Sequence, residues 1–185
     1  MKVLGISGSL RRDSHNTALL RTAAELLPGV VELELWDGLK AVPPYDEDDD
    51  VDPTPAAVAD LRDAIAGADA ILFATPEYNH STPGQLKNAL DWASRPLATN
   101  QLRNKPVAVV GASSGAFGAV WSQAELRKVL AATGARVVEA DVAVGHAHTK
   151  FDADGQLTDD DLREQLAEVV DALVTVTRAR ELLAA

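Results

Sequence analysis

The 185-residue sequence contains no cysteine, and this absence excludes disulfides, thiolate metal sites and cysteine nucleophiles. Positive charge is also scarce: the formal net charge is −11, which argues against a nucleic-acid partner because nucleic acids bind basic surfaces. No apolar run approaches the roughly 20 residues of a membrane span, and the chain begins with a strand-like segment rather than a signal peptide. We therefore expect a cytoplasmic protein without membrane or nucleic-acid partners.

Hydrophobic residues make up 46% of the chain, enough for a substantial core, and we expect one domain over residues 1–185. Short apolar runs typical of buried strands alternate with segments of helical periodicity. The last predicted strand runs from Arg136 to Val144. Five strands alternating with five helices predict an α/β fold with a doubly wound parallel sheet.

Three local features carry further predictions. Thr82 is predicted as a helix N-cap that forms a capping box with Gln85, with Pro83 at the first helical position. The long connection over residues 36–55 makes Tyr45 a weak candidate for lining a pocket. Trp92 is expected to pack either in the core or at a subunit interface.

The loop after the first strand has the composition of an anion cradle. Its donor side chains are Ser9, Arg11, Ser14 and Asn16. Gly8 permits a tight turn, and the first amides of the helix predicted from Thr17 point at the same place, where the helix dipole favours negative charge. An ordinary capped helix start is the alternative reading. Neither the G-x-G-x-x-G fingerprint nor a P-loop occurs here.

Two further unusual loops follow the third and fourth strands, at residues 76–79 and 111–118. In a doubly wound sheet, ligands bind outside the carboxyl ends of the strands. The three loops therefore meet at one edge, where the first can hold a phosphate and the other two can frame a ring. This arrangement suits FMN.

The loops also resemble the motifs of a known family. Gly8-Ser9, Arg11, Ser14 and Asn16 resemble the GSxRxxSxN phosphate loop of the NAD(P)H-dependent FMN reductases, a flavodoxin-like family that includes quinone and chromate reductases. The segments 76–81 and 83–92 closely resemble the second motif of that family. The resemblance extends over nearly the whole chain and implies the flavodoxin-like strand order 2-1-3-4-5.

The resemblance also implies a set of cofactor-binding residues. The FMN phosphate would be held by Ser9, Arg11, Ser14, Asn16 and Thr17. The isoalloxazine would lie along Pro76, Glu77, Tyr78 and Asn79. The pyrimidine end and the ribityl chain would lie near Ser113, Ser114, Gly115 and Gly118. The chain departs from the family where Gly-Gly-x-Arg is usual, since it has Gly118-Ala119-Val120-Trp121.

The expected activity is hydride transfer from NADPH or NADH through bound FMN to a quinone or similar acceptor, by a ping-pong mechanism and without a protein general base. The backbone amides of Ser114 and Gly115 could stabilise negative charge on the reduced flavin. The resemblance implies a homodimer or a dimer of dimers, with NADPH preferred. A flavodoxin-type electron carrier, a binder of another phosphate ligand, and an azo- or nitro-reductase remain the alternatives.

Two histidines near the end of the last predicted strand are possible metal ligands. His146 and His148 would face the same side of the last predicted strand and could begin a metal site. No third ligand is evident from the sequence, so no metal is predicted.

Overall fold

A computed structural model describes residues 1–184 and shows a parallel sheet flanked by helices. The strands are β1 (Lys2–Ser7), β2 (Glu32–Trp36), β3 (Ala70–Thr75), β4 (Pro106–Ala112), β5 (Arg136–Val137) and β6 (Ala143–Val144). The strand order is β2-β1-β3-β4-β5, and β6 also pairs with β4. The predicted order 2-1-3-4-5 is therefore confirmed. It places the topological switch point beside β1 and β3, where ligands bind in such sheets.

Five helices cover the two faces of the sheet. They are α1 (His15–Leu26), α2 (Ala56–Ala66), α3 (Gly84–Ala93), α4 (Val120–Ala132) and α5 (Asp160–Ala184). Buried residues of α1 and α5 pack on one face, and buried residues of α2, α3 and α4 pack on the other. The strands β3 and β4 are buried along their whole length, which explains why both read as continuous apolar runs. Among residues 1–184, no helix is both long and apolar enough to cross a bilayer.

The last strand differs from the sequence prediction because it is split into β5 and β6. The register pairs Val107 with Val137 but Gly111 with Ala143, so the outer segment contains two extra residues between its paired positions. Val138 and Val142 still form backbone hydrogen bonds with β4, whereas residues 139–141 between them leave the ladder, as in a bulge. His146 follows in the left-handed backbone region and precedes a 3-10 turn. The prediction that His146 and His148 share one side of a strand was therefore wrong.

The long connection after β2 is held by α3, and this overturns two predictions. Gln85 does not complete a capping box, because its side-chain amide donates to the carbonyls of Leu39 and Val42 at 2.9 and 2.8 Å. Thr82 donates to the carbonyl of Ser122, and Pro83 is the N-cap residue of α3. The expectation that Tyr45 lines a pocket is not met at the two clefts described below, and its half-buried ring packs edge-on against Trp92.

Trp92 itself is fully buried, with 0% of its surface exposed. Its indole N–H donates to the carbonyl of Pro43 at 2.9 Å, so this side chain ties α3 to the long connection. Of the two positions expected for Trp92, the structure selects the core and not a subunit interface.

Candidate functional site

The loops after β1, β3 and β4 meet at the carboxyl edge of the sheet and enclose a cleft of about 290 Å³. The cleft is lined by Ser9, Arg11, His15, Asn16, Pro76, Glu77, Tyr78, Ala112, Ser113, Ser114 and His148. The three loops predicted from the sequence are therefore brought together. Parallel strands make this possible because their carboxyl ends all reach the same edge of the sheet.

The first loop presents backbone donors at the start of α1. Ser14 is the N-cap residue, and its hydroxyl accepts a hydrogen bond of 3.2 Å from the amide of Thr17. The backbone amides of His15 and Asn16, the two residues after Ser14, have no hydrogen-bond partner among residues 1–184. Free amides at a helix N-terminus, together with the exposed guanidinium of Arg11, form a suitable environment for an anion.

Asn16 has a role that the sequence did not reveal. Its side-chain amide donates to the carbonyl of Ala112, and the amide of Ala112 donates back to the Asn16 side-chain oxygen, both at 2.9 Å. Asn16 is buried, so these bonds fix the first loop to the end of β4. For a ligand, Asn16 retains its backbone N–H and the second N–H of its side-chain amide, neither of which has a partner among residues 1–184.

The second loop is fastened to α4 by Glu77. One carboxylate oxygen accepts hydrogen bonds from the amides of Trp121 and Ser122, at 3.0 and 3.2 Å, where the helix dipole favours a negative charge. Tyr78 and Ser81 form an antiparallel bridge that shapes a tight turn, and Asn79 adopts a positive φ of 53° within it. The ring of Tyr78 is half exposed at the mouth of the cleft.

The third loop packs tightly on β6. A Cβ at Gly118, whose φ is +59°, would lie 2.3 Å from the carbonyl carbon of Ala143, so this position requires glycine. The amide of Gly115 donates to the hydroxyl of Ser113 at 3.1 Å. The expectation that Gly115 offers a free amide is therefore not met, whereas the amide of Ser114 has no partner among residues 1–184.

The predicted site residues divide into two groups. Eight of them line the cleft, whereas Ser14, Thr17, Asn79, Gly115 and Gly118 do not. Of those five, Thr17 instead lines a neighbouring cleft on the other side of the first loop. Three further residues line the cleft, His15, Ala112 and His148; none of them was predicted as a cofactor-binding residue, and His148 was considered only as a metal ligand. His15 occupies the first position of α1, and this place near the anion cradle could have identified it.

His15 has an unusual electrostatic environment. Its imidazole stacks on Phe151, with ring centroids 5.2 Å apart. Burial, helped by the positive charges of Arg11 and His148, lowers the pKa of His15 below the usual 6.5. The charge of Arg11, which disfavours a charged imidazole, would favour a bound anion.

The cleft fits the two ends of FMN. Its first-loop end offers the free amides of His15 and Asn16 and the charge of Arg11, as a phosphate requires. Its other end, between Tyr78 and Ser114, offers a half-exposed aromatic ring and a free amide, as a flat heterocycle with a polar edge requires.

Comparison with known proteins identifies the family. The profile of the NADPH-dependent FMN reductases matches residues 1–149. An NAD(P)H-dependent FMN reductase of Pseudomonas aeruginosa is 45% identical over 94% of this chain and 93% of its own. A 2-hydroxy-1,4-benzoquinone reductase of a Burkholderia species is 37% identical over 97% of this chain and 98% of its own.

The solved structure of FerB, a flavoenzyme NAD(P)H:(acceptor) oxidoreductase from Paracoccus denitrificans, superposes with a TM-score of 0.86 and 38% identity. The match covers 96% of this chain and 97% of FerB. Sequence profile, relatives and fold agree. The chain belongs to the NADPH-dependent FMN reductase family and is an oxidoreductase that uses FMN and a nicotinamide nucleotide.

Proposed function

We propose that this enzyme passes reducing equivalents from NAD(P)H to a quinone or a similar small acceptor in the cleft between the three loops. The observation that carries the proposal is the polarity of the cleft: a cationic, amide-rich end at the first loop, and an end at the second and third loops whose one carboxylate, Glu77, is already bound by two amides of α4. The names of the Burkholderia relative and of FerB, which refer to a benzoquinone and to an unspecified acceptor, support this acceptor class.

The first loop would hold the FMN phosphate. We assign this contact to Ser9, Arg11 and the free amides of His15 and Asn16. Ser14 and Thr17 contribute indirectly, because their mutual hydrogen bond fixes the first turn of α1. A charge-assisted hydrogen bond from Arg11 is worth about 1.5–3 kcal/mol, and no carboxylate pairs with Arg11 among the described residues.

The second and third loops would hold the ring. Pro76, Glu77 and Tyr78 form one wall, and Ser113 and Ser114 form the opposite one. Bound FMN supplies hydride acceptance at N5 and storage of two electrons, so the protein needs no general base. The free amide of Ser114 can donate to negative charge that develops on the pyrimidine end.

We infer that donor and acceptor use the same space beside the flavin ring in turn. We therefore expect ping-pong kinetics. Initial rates measured with varied NADPH at several fixed quinone concentrations should give parallel double-reciprocal lines. Intersecting lines would mean a ternary complex and a separate acceptor site. The same assay with azo and nitro compounds compares the competing acceptor classes.

A flavodoxin-type electron carrier shares the fold and is the second candidate. The two functions differ in the response to NADPH, which a carrier does not oxidise. Anaerobic NADPH should bleach the visible flavin absorbance of the purified protein. If only dithionite bleaches it, the carrier function is correct, and a colourless protein that does not take up FMN would contradict both.

We further propose a homodimer, alone or paired into a dimer of dimers. Trp92 is buried within its own chain and cannot form the interface, but Phe117 and Trp121 are 63% and 40% exposed beside the cleft. Their rings pack edge-on at 5.1 Å, forming an apolar patch that a second copy would cover. A light-scattering mass near 19.6 kDa at micromolar concentration would contradict the dimer.

A further inference from the structure

A second cleft of about 380 Å³ lies on the other side of the first loop, between α1 and the carboxyl end of β2. It shares Ser9 and Arg11 with the flavin cleft, and it also contains Arg21 of α1 and Lys40 of the long connection. We propose that this second cleft binds the adenosine 2′-phosphate end of NADPH and thereby selects NADPH over NADH. The proposal rests on the proposed function, because it assigns the donor of the same site.

The charge of the cleft is the first argument. Arg11, Arg21 and Lys40 come from three different segments, and none of them forms an ion pair with a side chain that the structure describes. Asp37, which also lines the cleft, is likewise not paired with them. Three cations against one carboxylate give the cavity a net positive charge, which is unexpected in a chain of net charge −11 and suits a compact ligand with two negative charges.

The remaining walls suit an adenine ring. Leu10, Leu35, Leu39 and the indole of Trp36 supply apolar surface. The indole is held in place, because its N–H donates to the carboxylate of Asp60 at 2.7 Å and the backbone of Gly38 packs closely against its edge. A fixed aromatic ring beside cations provides both parts of a site for a phosphorylated nucleoside.

The position of the cleft fits a dinucleotide that also reaches the flavin. Because Ser9 and Arg11 border both clefts, a ligand can pass over the first loop from one to the other. The nicotinamide would then lie over the flavin ring, the pyrophosphate would cross near Arg11, and the 2′-phosphate would reach Arg21 and Lys40. FMN has only one phosphate, and Ser9, Arg11 and the free amides of α1 provide for it, so Arg21 and Lys40 are left for the 2′-phosphate.

The test measures binding of a fragment that carries only the proposed recognition element. Calorimetry on the FMN-loaded protein at low ionic strength would compare 2′,5′-ADP with 5′-AMP, which lacks the 2′-phosphate. Wild type should bind 2′,5′-ADP at least about tenfold more tightly, since at least one charge-assisted contact is gained. This preference should fall towards one in Arg21→Gln and in Lys40→Gln.

A matched control removes the same charge elsewhere. Arg178 is exposed on α5 and forms no ion pair among the described side chains, so Arg178→Gln should keep the wild-type preference. In kinetics, the ratio of kcat/KM for NADPH to that for NADH should fall about tenfold in each cleft variant and stay constant in the control.

Two results would overturn the proposal. One is equal affinity of wild type for 2′,5′-ADP and 5′-AMP. The other is a loss of FMN affinity in Arg21→Gln as large as its loss of 2′,5′-ADP affinity, which would assign the cleft to the flavin phosphate. If the binding preference holds but NADPH does not reduce the flavin, phosphate selectivity is supported and the reductase function is refuted.

Discussion

The Asn16 side chain and the Ala112 backbone exchange two hydrogen bonds of 2.9 Å between positions 96 residues apart in the chain. Asn16 lies in the first turn of α1 and Ala112 ends β4, so the pair connects the phosphate end of the cleft to the ring end. Both groups are buried. The pair therefore keeps two loops in register that are distant in sequence.

Replacing Asn16 should destabilise the fold and weaken FMN binding together. Asn16→Ala leaves the amide and the carbonyl of Ala112 buried without partners, at a cost of about 2–4 kcal/mol in the free energy of unfolding. Urea unfolding of the apoprotein measures this change. Ser114→Ala is a suitable control, since the exposed side chain of Ser114 forms no hydrogen bond in the structure. This variant should change the free energy of unfolding by no more than about 0.5 kcal/mol. Equal stability of the two variants would contradict the role of Asn16.

Arg11 is expected to be the main cationic ligand of the FMN phosphate. Loss of one or two charge-assisted hydrogen bonds in Arg11→Ala should cost about 2–4 kcal/mol, which weakens FMN binding roughly 30- to 1000-fold. Titration of the apoprotein with FMN, followed by flavin fluorescence, measures the affinity. Arg12→Ala is the neighbouring control, because Arg12 does not line the cleft. If Arg11→Ala binds as tightly as wild type and Arg12→Ala does not, Arg12 holds the phosphate.

The pKa of His15 should report where the phosphate binds. In the apoprotein, burial and the charges of Arg11 and His148 hold this pKa below 6.5. Since the neighbouring cation Arg11 lowers the pKa of His15, Arg11→Ala should raise this pKa. A phosphate bound to the wild-type protein should also raise the pKa of His15, because negative charge favours the imidazolium. NMR titration of the imidazole protons between about pH 4 and 8 follows these shifts.

Riboflavin provides the control for that titration, because it carries the ring without the phosphate. It should leave the His15 pKa near its apo value, whereas FMN should raise it. By linkage, FMN binding then takes up protons when the pH lies between the apo and the bound pKa, and its affinity increases as the pH falls through this window. An equal response to both flavins would place the phosphate away from α1.

Features determined by local sequence were predicted well. The buried strands β3 and β4 lie where the sequence has continuous apolar runs. The three loops could be placed together because the carboxyl ends of parallel strands share one edge. These inferences required only periodicity and topology.

The errors arose where a side chain serves a partner distant in sequence. Gln85 has the spacing of a capping box, yet its side-chain amide donates to the carbonyls of Leu39 and Val42 in the long connection. The sequence predicts that the Asn16 side chain donates a hydrogen bond to the phosphate, but this side chain donates to the carbonyl of Ala112, 96 residues away. Such pairings follow from packing in three dimensions, which single-sequence patterns do not encode.

Gly118 should be far less tolerant of a methyl group than a glycine in open space. Gly118→Ala would place a Cβ 2.3 Å from the carbonyl carbon of Ala143, and backbone atoms cannot yield as a side-chain end can. Positive φ alone does not decide the cost, since neighbouring Ala119 has a φ of 65° with its methyl buried. The clash adds about 1–3 kcal/mol to the roughly 1 kcal/mol that this backbone conformation costs alanine.

The matched control is Gly84→Ala, at the first residue of α3, where nothing lies within 4 Å of the added Cβ. That variant should be neutral or stabilised by up to about 1 kcal/mol, because alanine favours the helix. Urea midpoints of the apoproteins measure both changes. FMN affinity should fall only in Gly118→Ala, because movement of β6 displaces the third loop from the cleft. If the two variants unfold at the same urea concentration, the close contact between Gly118 and Ala143 does not determine the position of that loop.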